Sequence, residues 1–221
     1  MRPVGIPRDL VAMRVARELR DGMTVNLGIG LPTEVADYVP EGVTVWLQAE
    51  NGILGYGGIA PDEQFDQDFI NAGGQPVTIR PGACFFDSAQ SFAMIRGGHV
   101  DVTVLGGLQV SERGDLANWM VPERGGGSVG GAMDLAVGAR HVIVAMAHTT
   151  NEARPRILRA CTYPLTAERC VDLIITDLAV VRVTGGGPVL EERAPGVTVE
   201  EIQSVTEPRL AVAGEVREME L

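Results

Sequence analysis

Val43-Thr44-Val45-Trp46-Leu47-Gln48-Ala49-Glu50-Asn51-Gly52-Ile53-Leu54-Gly55-Tyr56-Gly57-Gly58 is the stretch on which the fold turns. Its apolar, β-branched start predicts a buried strand over 43–48, and the glycines beyond predict a tight turn carrying one carboxylate, Glu50. In open α/β sheets the crevice at the carboxyl ends of the strands is the usual ligand site. Glu50 is therefore the first candidate for chemistry, set against the plainer reading of a solvated glutamate in a surface turn.

The same pattern recurs on both sides. Upstream, apolar residues at Leu10, Val11, Val15 and Leu19 predict an amphipathic helix over 8–19 with Asp9 as its cap. A strand over 23–27, the turn Gly28-Ile29-Gly30 and a helix over 32–39 follow. Downstream, strands are expected at 77–79, closed by Pro81-Gly82, and at 100–105, 141–146, 171–176 and 178–183. Helices are expected after Asp87-Ser88 up to Arg96, over 132–137 and over 198–203. The stretch 61–68 is acidic, 114–122 reads as an ordered loop, 185–195 as a hairpin or loop, and the charged end beyond Thr206 as a fraying tail. Strands alternating with helices and glycine turns indicate an α/β fold, a mainly parallel sheet flanked by helices, in one domain spanning 1–221.

Composition narrows the function. The 221 residues carry a net charge of -11, which argues against nucleic acid and anionic membranes as partners. No apolar run is long enough to span a bilayer and the first residues lack a signal segment, so a cytoplasmic protein is expected. The three cysteines, Cys84, Cys161 and Cys170, form no C-x-x-C pair and are expected as buried free thiols. All 18 basic residues are arginine, which removes Schiff-base lysine chemistry and a P-loop lysine while leaving anion binding open.

Three further signals bear on the chemistry. Gly28-Ile29-Gly30 resembles a dinucleotide fingerprint, but Thr33 takes the third glycine position, so a nicotinamide site is not expected. Asn26 and the helix that follows are better placed to offer an amide and free N–H groups to the crevice of Glu50. Gly125-Gly126-Gly127-Ser128-Val129-Gly130-Gly131 precedes a helix and can turn backbone N–H groups toward one point, as an oxyanion cradle requires. His99, His141 and His148 are too scattered for a metal site, and Asp115, Asp134 and Asp177 read as capping or turn residues.

Seven segments, in order, resemble the B subunit of the 3-oxoacid CoA-transferases, the family I coenzyme A transferases. They are Asn26 to Gly30, Glu50 to Gly55, Ile70 to Gly73, Ile95 to His99, Gly114 to Trp119, Gly130 to Leu135 and Cys161 to Thr166. The resemblance implies that Glu50 is a nucleophile carrying a glutamyl-CoA thioester, with Asn26, Gly130 and Gly131 as catalytic partners. It also implies binding roles for Asn51, Gly52, Gly28, Gly30 and Ala132. No cofactor is implied, since coenzyme A is a substrate, and no metal. The expected reaction moves CoA from succinyl-CoA to a 3-oxo acid such as acetoacetate or 3-oxoadipate. Because the family's site lies between an A and a B part, an A subunit is the expected partner, in an A2B2 assembly.

The chain departs from that pattern in places. Ala49 stands where a serine is usual, Ser128 where glycine is common, and Gly74 where many members have lysine. The last change leaves the CoA phosphates to Arg80 or to an arginine of the partner. A CoA-ester hydrolase, a non-catalytic partner subunit and a sugar-phosphate isomerase of similar architecture are the competing readings.

Overall fold

The computed structural model describes residues 3–64 and 66–221. Met1 and Arg2, in the segment expected to lack a signal, and Phe65, in the acidic stretch, lie outside the described residues. The strands in chain order are β1 (Thr24–Leu27), β2 (Trp46–Ala49), β3 (Ile53–Ile59), β4 (Val77–Phe85), β5 (Val102–Gly106), β6 (Gln109–Ser111) and β7 (Leu116–Ala117). They continue as β8 (His141–Met146), β9 (Ile157–Leu158), β10 (Leu173–Thr176), β11 (Ala179–Thr184), β12 (Gly187–Arg193) and β13 (Ala211–Glu218). The helices are α1 (Arg8–Ala16), α2 (Leu31–Glu34), α3 (Ser88–Arg96), α4 (Ala132–Gly138) and α5 (Val199–Ser204).

A 10-stranded sheet runs β13-β12-β11-β10-β8-β5-β1-β2-β3-β4, and a 3-stranded sheet runs β7-β6-β9. From β10 to β2 all neighbours are parallel, as the β-branched runs require of strands buried on both faces. Antiparallel pairs flank this centre on both sides, so the sheet is mixed, with a parallel core. Val25, Val104, Val144 and Ile174 in that core are completely buried, each contributing about 1.5–3 kcal/mol of transfer free energy. The sheet has its topological reversal at β1, which continues to β2 on one side and meets β5 on the other. The loops leaving β1 and β5 therefore part and leave a crevice.

Five local expectations are corrected. Cys84, on the edge strand β4, is exposed and not buried, and Cys161 and Cys170 are only partly covered. Gly55, Gly57 and Gly58 lie within β3, because the chain after Glu50 turns back as a hairpin partner of β2 instead of looping away. Pro81-Gly82 lies within β4 and does not close it, as expected of an edge strand that can spare a ladder donor. The N-cap of α1 is Pro7, with no side-chain cap, and not Asp9. The charged C-terminal segment is β13, parallel to β12, anchored where Met219 N–H donates to Arg193 O at 2.9 Å. By contrast Asp87 caps α3 through Gln90 N, and Thr198 and Glu201 form a capping box on α5. Among the described residues no helix is long and apolar enough to cross a membrane.

Candidate active site

Glu50 opens the turn 50–52 between β2 and β3, which closes where Gly52 N–H donates to Ala49 O at 3.0 Å. Gly52 has φ +122°, and a Cβ there would collide with the carbonyl oxygen of Phe86. Only glycine fits. Asn51 Nδ2 donates to Ile70 O at 2.8 Å and Phe86 N–H donates to Gly52 O at 3.0 Å, so both sides of the turn are tied down.

Asn26 of β1, Gln48 of β2 and Thr103 of β5 are register partners and project to one face of the sheet. All three are completely buried. Asn26 Nδ2 donates to Gln48 Oε1 at 2.8 Å, to Gln48 O at 3.1 Å and to Glu50 Oε2 at 3.2 Å. Gln48 Nε2 donates to Ser91 Oγ of α3 at 2.9 Å. A polar chain thus runs from α3 across two strands to the carboxylate. Ala49 alternates with Gln48 and is buried, so its side chain faces away from Asn26; a hydroxyl there would not join this chain. Burial, and secondarily the charge of Glu50, push the Tyr56 phenol well above its ordinary pKa, so it stays protonated.

Beside Glu50 lies a cavity of about 360 Å³, lined by Gly28 and Ile29 after β1, Leu105 to Leu108 at the end of β5, Asn118, Leu135 and Ser128 to Ala132. It sits at the reversal of strand order. Gly131, the N-cap of α4, packs on the Glu50 side chain: a Cβ there would lie 3.3 Å from Glu50 Cγ and 3.3 Å from Phe92 Cζ. Asn118 Nδ2 donates to Gly106 O at 3.1 Å and its Oδ1 accepts from Thr166 Oγ1 at 2.6 Å, which fixes the far wall.

Of the residues singled out from sequence, Glu50, Gly28, Gly130, Gly131 and Ala132 line one cavity, with Asn26 bonded to Glu50 from behind and Asn51 and Gly52 shaping its turn. Gly30 faces a neighbouring cavity with Arg8, Thr33 and Asp37. Arg80 is elsewhere: its Nη1 donates to Val45 O at 2.9 Å and its guanidinium lies 5.8 Å from the Trp46 ring centroid. No arginine lines the Glu50 cavity among the described residues. Gln48, Ser91, Gly106, Gly107 and Asn118 belong to the site but were not singled out. A buried strand that interrupts its apolar run with Gln48, two residues before the candidate carboxylate, was the available signal.

The remaining polar candidates serve the fold. His148 is completely buried between Thr176 Oγ1 at 2.9 Å and Thr206 Oγ1 at 2.8 Å. Asp115 accepts from Ser111 Oγ at 2.7 Å, Asp134 pairs with Arg96 at 2.6 Å, and Asp177 accepts from His148 N at 2.7 Å. Among the described residues no group of three or more His, Cys, Asp or Glu is arranged to hold a metal.

The sequence profile described as Coenzyme A transferase matches residues 8–204. The chain belongs to the coenzyme A transferase family. It is 52% identical over 209 residues to the beta subunit of the acetate CoA-transferase of Escherichia coli K12, covering 95% of each chain. To the B subunit of the probable succinyl-CoA:3-ketoacid coenzyme A transferase of Bacillus subtilis it is 48% identical over 209 residues, 95% of this chain and 97% of that one. The crystal structure of an acyl-CoA transferase from Escherichia coli O157:H7 superposes with a TM-score of 0.78 at 21% identity, over 99% of this chain and 44% of that one. This last likeness shows a shared fold, and the present chain spans less than half the length of that protein.

Proposed function

We propose that the chain is the B subunit of a CoA-transferase in which Glu50 is the nucleophile. The observation that carries this reading is the placement of Glu50: at a strand end, on the wall of the cavity, with Asn26 Nδ2 on one oxygen and Gly131 over its methylenes. A Glu50 carboxylate oxygen attacks the thioester carbonyl of an acyl-CoA; the C–S bond breaks, CoA leaves as thiolate and an acyl-glutamyl anhydride remains. The thiolate then attacks the Glu50 carbonyl, the anhydride C–O bond breaks, and a free carboxylate leaves behind a glutamyl-CoA thioester. A second carboxylate reverses both steps and departs as the new acyl-CoA. Splitting the exchange in this way conserves the thioester and needs no external reagent.

Each addition places charge on a carbonyl oxygen, and N–H donors aimed at that position stabilise it. Gly130 and Gly131, beside Glu50 in the cavity wall, are the proposed donors. The apolar side chains Leu105, Leu108, Val129 and Leu135 in the same wall keep water from competing with the second acid. Succinyl-CoA is the proposed donor and a 3-oxo acid, acetoacetate or 3-oxoadipate, the proposed acceptor. The relative named for acetate makes acetate the competing acceptor.

The site needs a partner. Ile29, on the cavity wall, is 70% exposed, and Phe85, the register partner of Ile53 just past the turn, is 53% exposed. An apolar rim of this kind suits a covering A subunit, which would also supply the cation for the CoA phosphates that this cavity wall lacks. Initial rates of the complex with that partner, at several fixed acceptor concentrations, test the reading. Parallel double-reciprocal lines, with exchange lost in Glu50→Gln, are expected. Intersecting lines, or full activity in Glu50→Gln, overturn it.

A further inference from the structure

The amide of Asn26 offers two hydrogens to three acceptors: Gln48 Oε1 at 2.8 Å, Gln48 O at 3.1 Å and Glu50 Oε2 at 3.2 Å. Its own Oδ1 is buried with no partner among the described residues. A buried polar atom without a partner is unfavourable by about 1–3 kcal/mol, yet the reverse orientation would be worse. It would set Oδ1 against the carboxylate and the backbone carbonyl, neither of which can donate. The orientation of Asn26 is thus decided by what surrounds its nitrogen.

We propose that Gln48 and Ser91 are positioning residues for the transfer reaction: Gln48 Oε1 is a standing acceptor that shares the Asn26 N–H groups with Glu50 and takes them back when Glu50 is acylated. This rests on the reading of Glu50 as the nucleophile. As a carboxylate, Glu50 is a strong acceptor for Asn26; as an anhydride or thioester it has lost its charge and accepts weakly. Without Gln48 Oε1, that loss would strand a buried donor in every turnover. With it, the Asn26 N–H groups keep acceptors in both states and the amide stays in place. Ser91 completes the arrangement by accepting from Gln48 Nε2 at 2.9 Å, which leaves Oε1 free to face Asn26. Ser91 is itself completely buried on α3, a helix held at its start by the Asp87 cap, so the anchor is rigid.

The test uses the complex with the A subunit and succinyl-CoA. Quenched samples are read by intact mass for the rate at which the glutamyl-CoA adduct forms, beside the KM for succinyl-CoA. In Gln48→Met, which keeps the length of the side chain and removes both polar atoms, the adduct is expected still to form on Glu50, about tenfold more slowly, with KM within twofold of wild type. Ser91→Ala, which leaves Gln48 present but unanchored, is expected to slow the same step about threefold with KM again unchanged. A Gln48→Met rate within twofold of wild type overturns the proposal. If that variant does not fold, an undiminished rate in Ser91→Ala overturns it instead. Failure of the wild-type complex to form any adduct would overturn the nucleophile itself, a separate result.

Discussion

Asn26 Nδ2 lies 3.2 Å from Glu50 Oε2, although 24 residues separate them in the chain. Parallel pairing of β1 with β2 sets Asn26 opposite Gln48, and the turn after β2 brings the carboxylate back over it. Asn26→Ala removes the donor and leaves Gln48 Oε1 unpaired. When the thiolate adds to the Glu50 carbonyl, charge develops on a Glu50 oxygen, and because one preorganised donor at such an oxygen is worth about 10²–10³ in kcat, a loss of that size is expected. Steady-state kinetics check it, and wild-type kcat in Asn26→Ala would show that the contact is incidental.

Gly52 and Gly131 flank Glu50 but should fail in different ways. Alanine at 52 meets the backbone oxygen of Phe86 in a turn with φ +122°, so Gly52→Ala is expected to destabilise the fold by about 2–4 kcal/mol. Alanine at 131 meets first the side chains of Glu50 and Phe92, each at 3.3 Å, in a backbone conformation open to any residue. Urea unfolding of Gly131→Ala should stay close to wild type while its transfer rate falls about tenfold or more. Equal stability losses in the two variants would contradict this division.

Arg14 and Glu192 join α1 to β12 through a nearly buried bidentate pair, 2.6 and 3.0 Å, with side-chain exposures of 7% and 11%. Removing Glu192 leaves the nearly buried Arg14 with Glu18, at 2.7 Å, as its remaining carboxylate, so Glu192→Ala is expected to lose about 2–3 kcal/mol. Arg14→Met combined with Glu192→Leu should recover most of that in the same unfolding measurement. Additive losses would show that the two side chains contribute independently of each other.

Burial, and secondarily the nearby Asp115 charge, raise the Cys161 thiol from 9.0 to about 11, while burial takes the Cys170 thiol from 9.0 to about 12. Both hold their protons more tightly folded than unfolded. Their contribution to stability is therefore complete below about pH 9 and is lost as pH rises from there toward 11 and 12. Alkylation at pH 8 should label the exposed Cys84 first and spare Cys161 and Cys170 until the chain unfolds. Rapid labelling of Cys170 in the native state would contradict this.

How much was legible varies with how local the cause was. The runs at 100–105 and 141–146 announced central strands because parallel strands buried on both faces need unbroken apolar sequence. Glu50 and Gly52 stood out because a tight turn demands glycine within three residues of the carboxylate. The hairpin of β3 did not, since Gly55, Gly57 and Gly58 resemble a loop until a partner strand is known. Nor did β13, whose charged residues suit an edge strand and a frayed tail equally. Ser91 was invisible for the same reason: its bond to Gln48 spans 43 residues and exists only once α3 packs on that face of the sheet. Arg80 was reached through the lysine that Gly74 replaces in the family pattern; its side chain bonds Val45 O and does not line the Glu50 cavity.

In the proposed reaction Glu50 carries CoA covalently between the two acids. The chain, assembled with its A subunit and given succinyl-CoA without acceptor, should gain the mass of CoA less one water, and peptide mapping should place the addition on Glu50. Adding acetoacetate should discharge it as acetoacetyl-CoA. An unmodified chain in a complex that is actively exchanging, or an adduct on any other residue, would rule out Glu50 as the carrier.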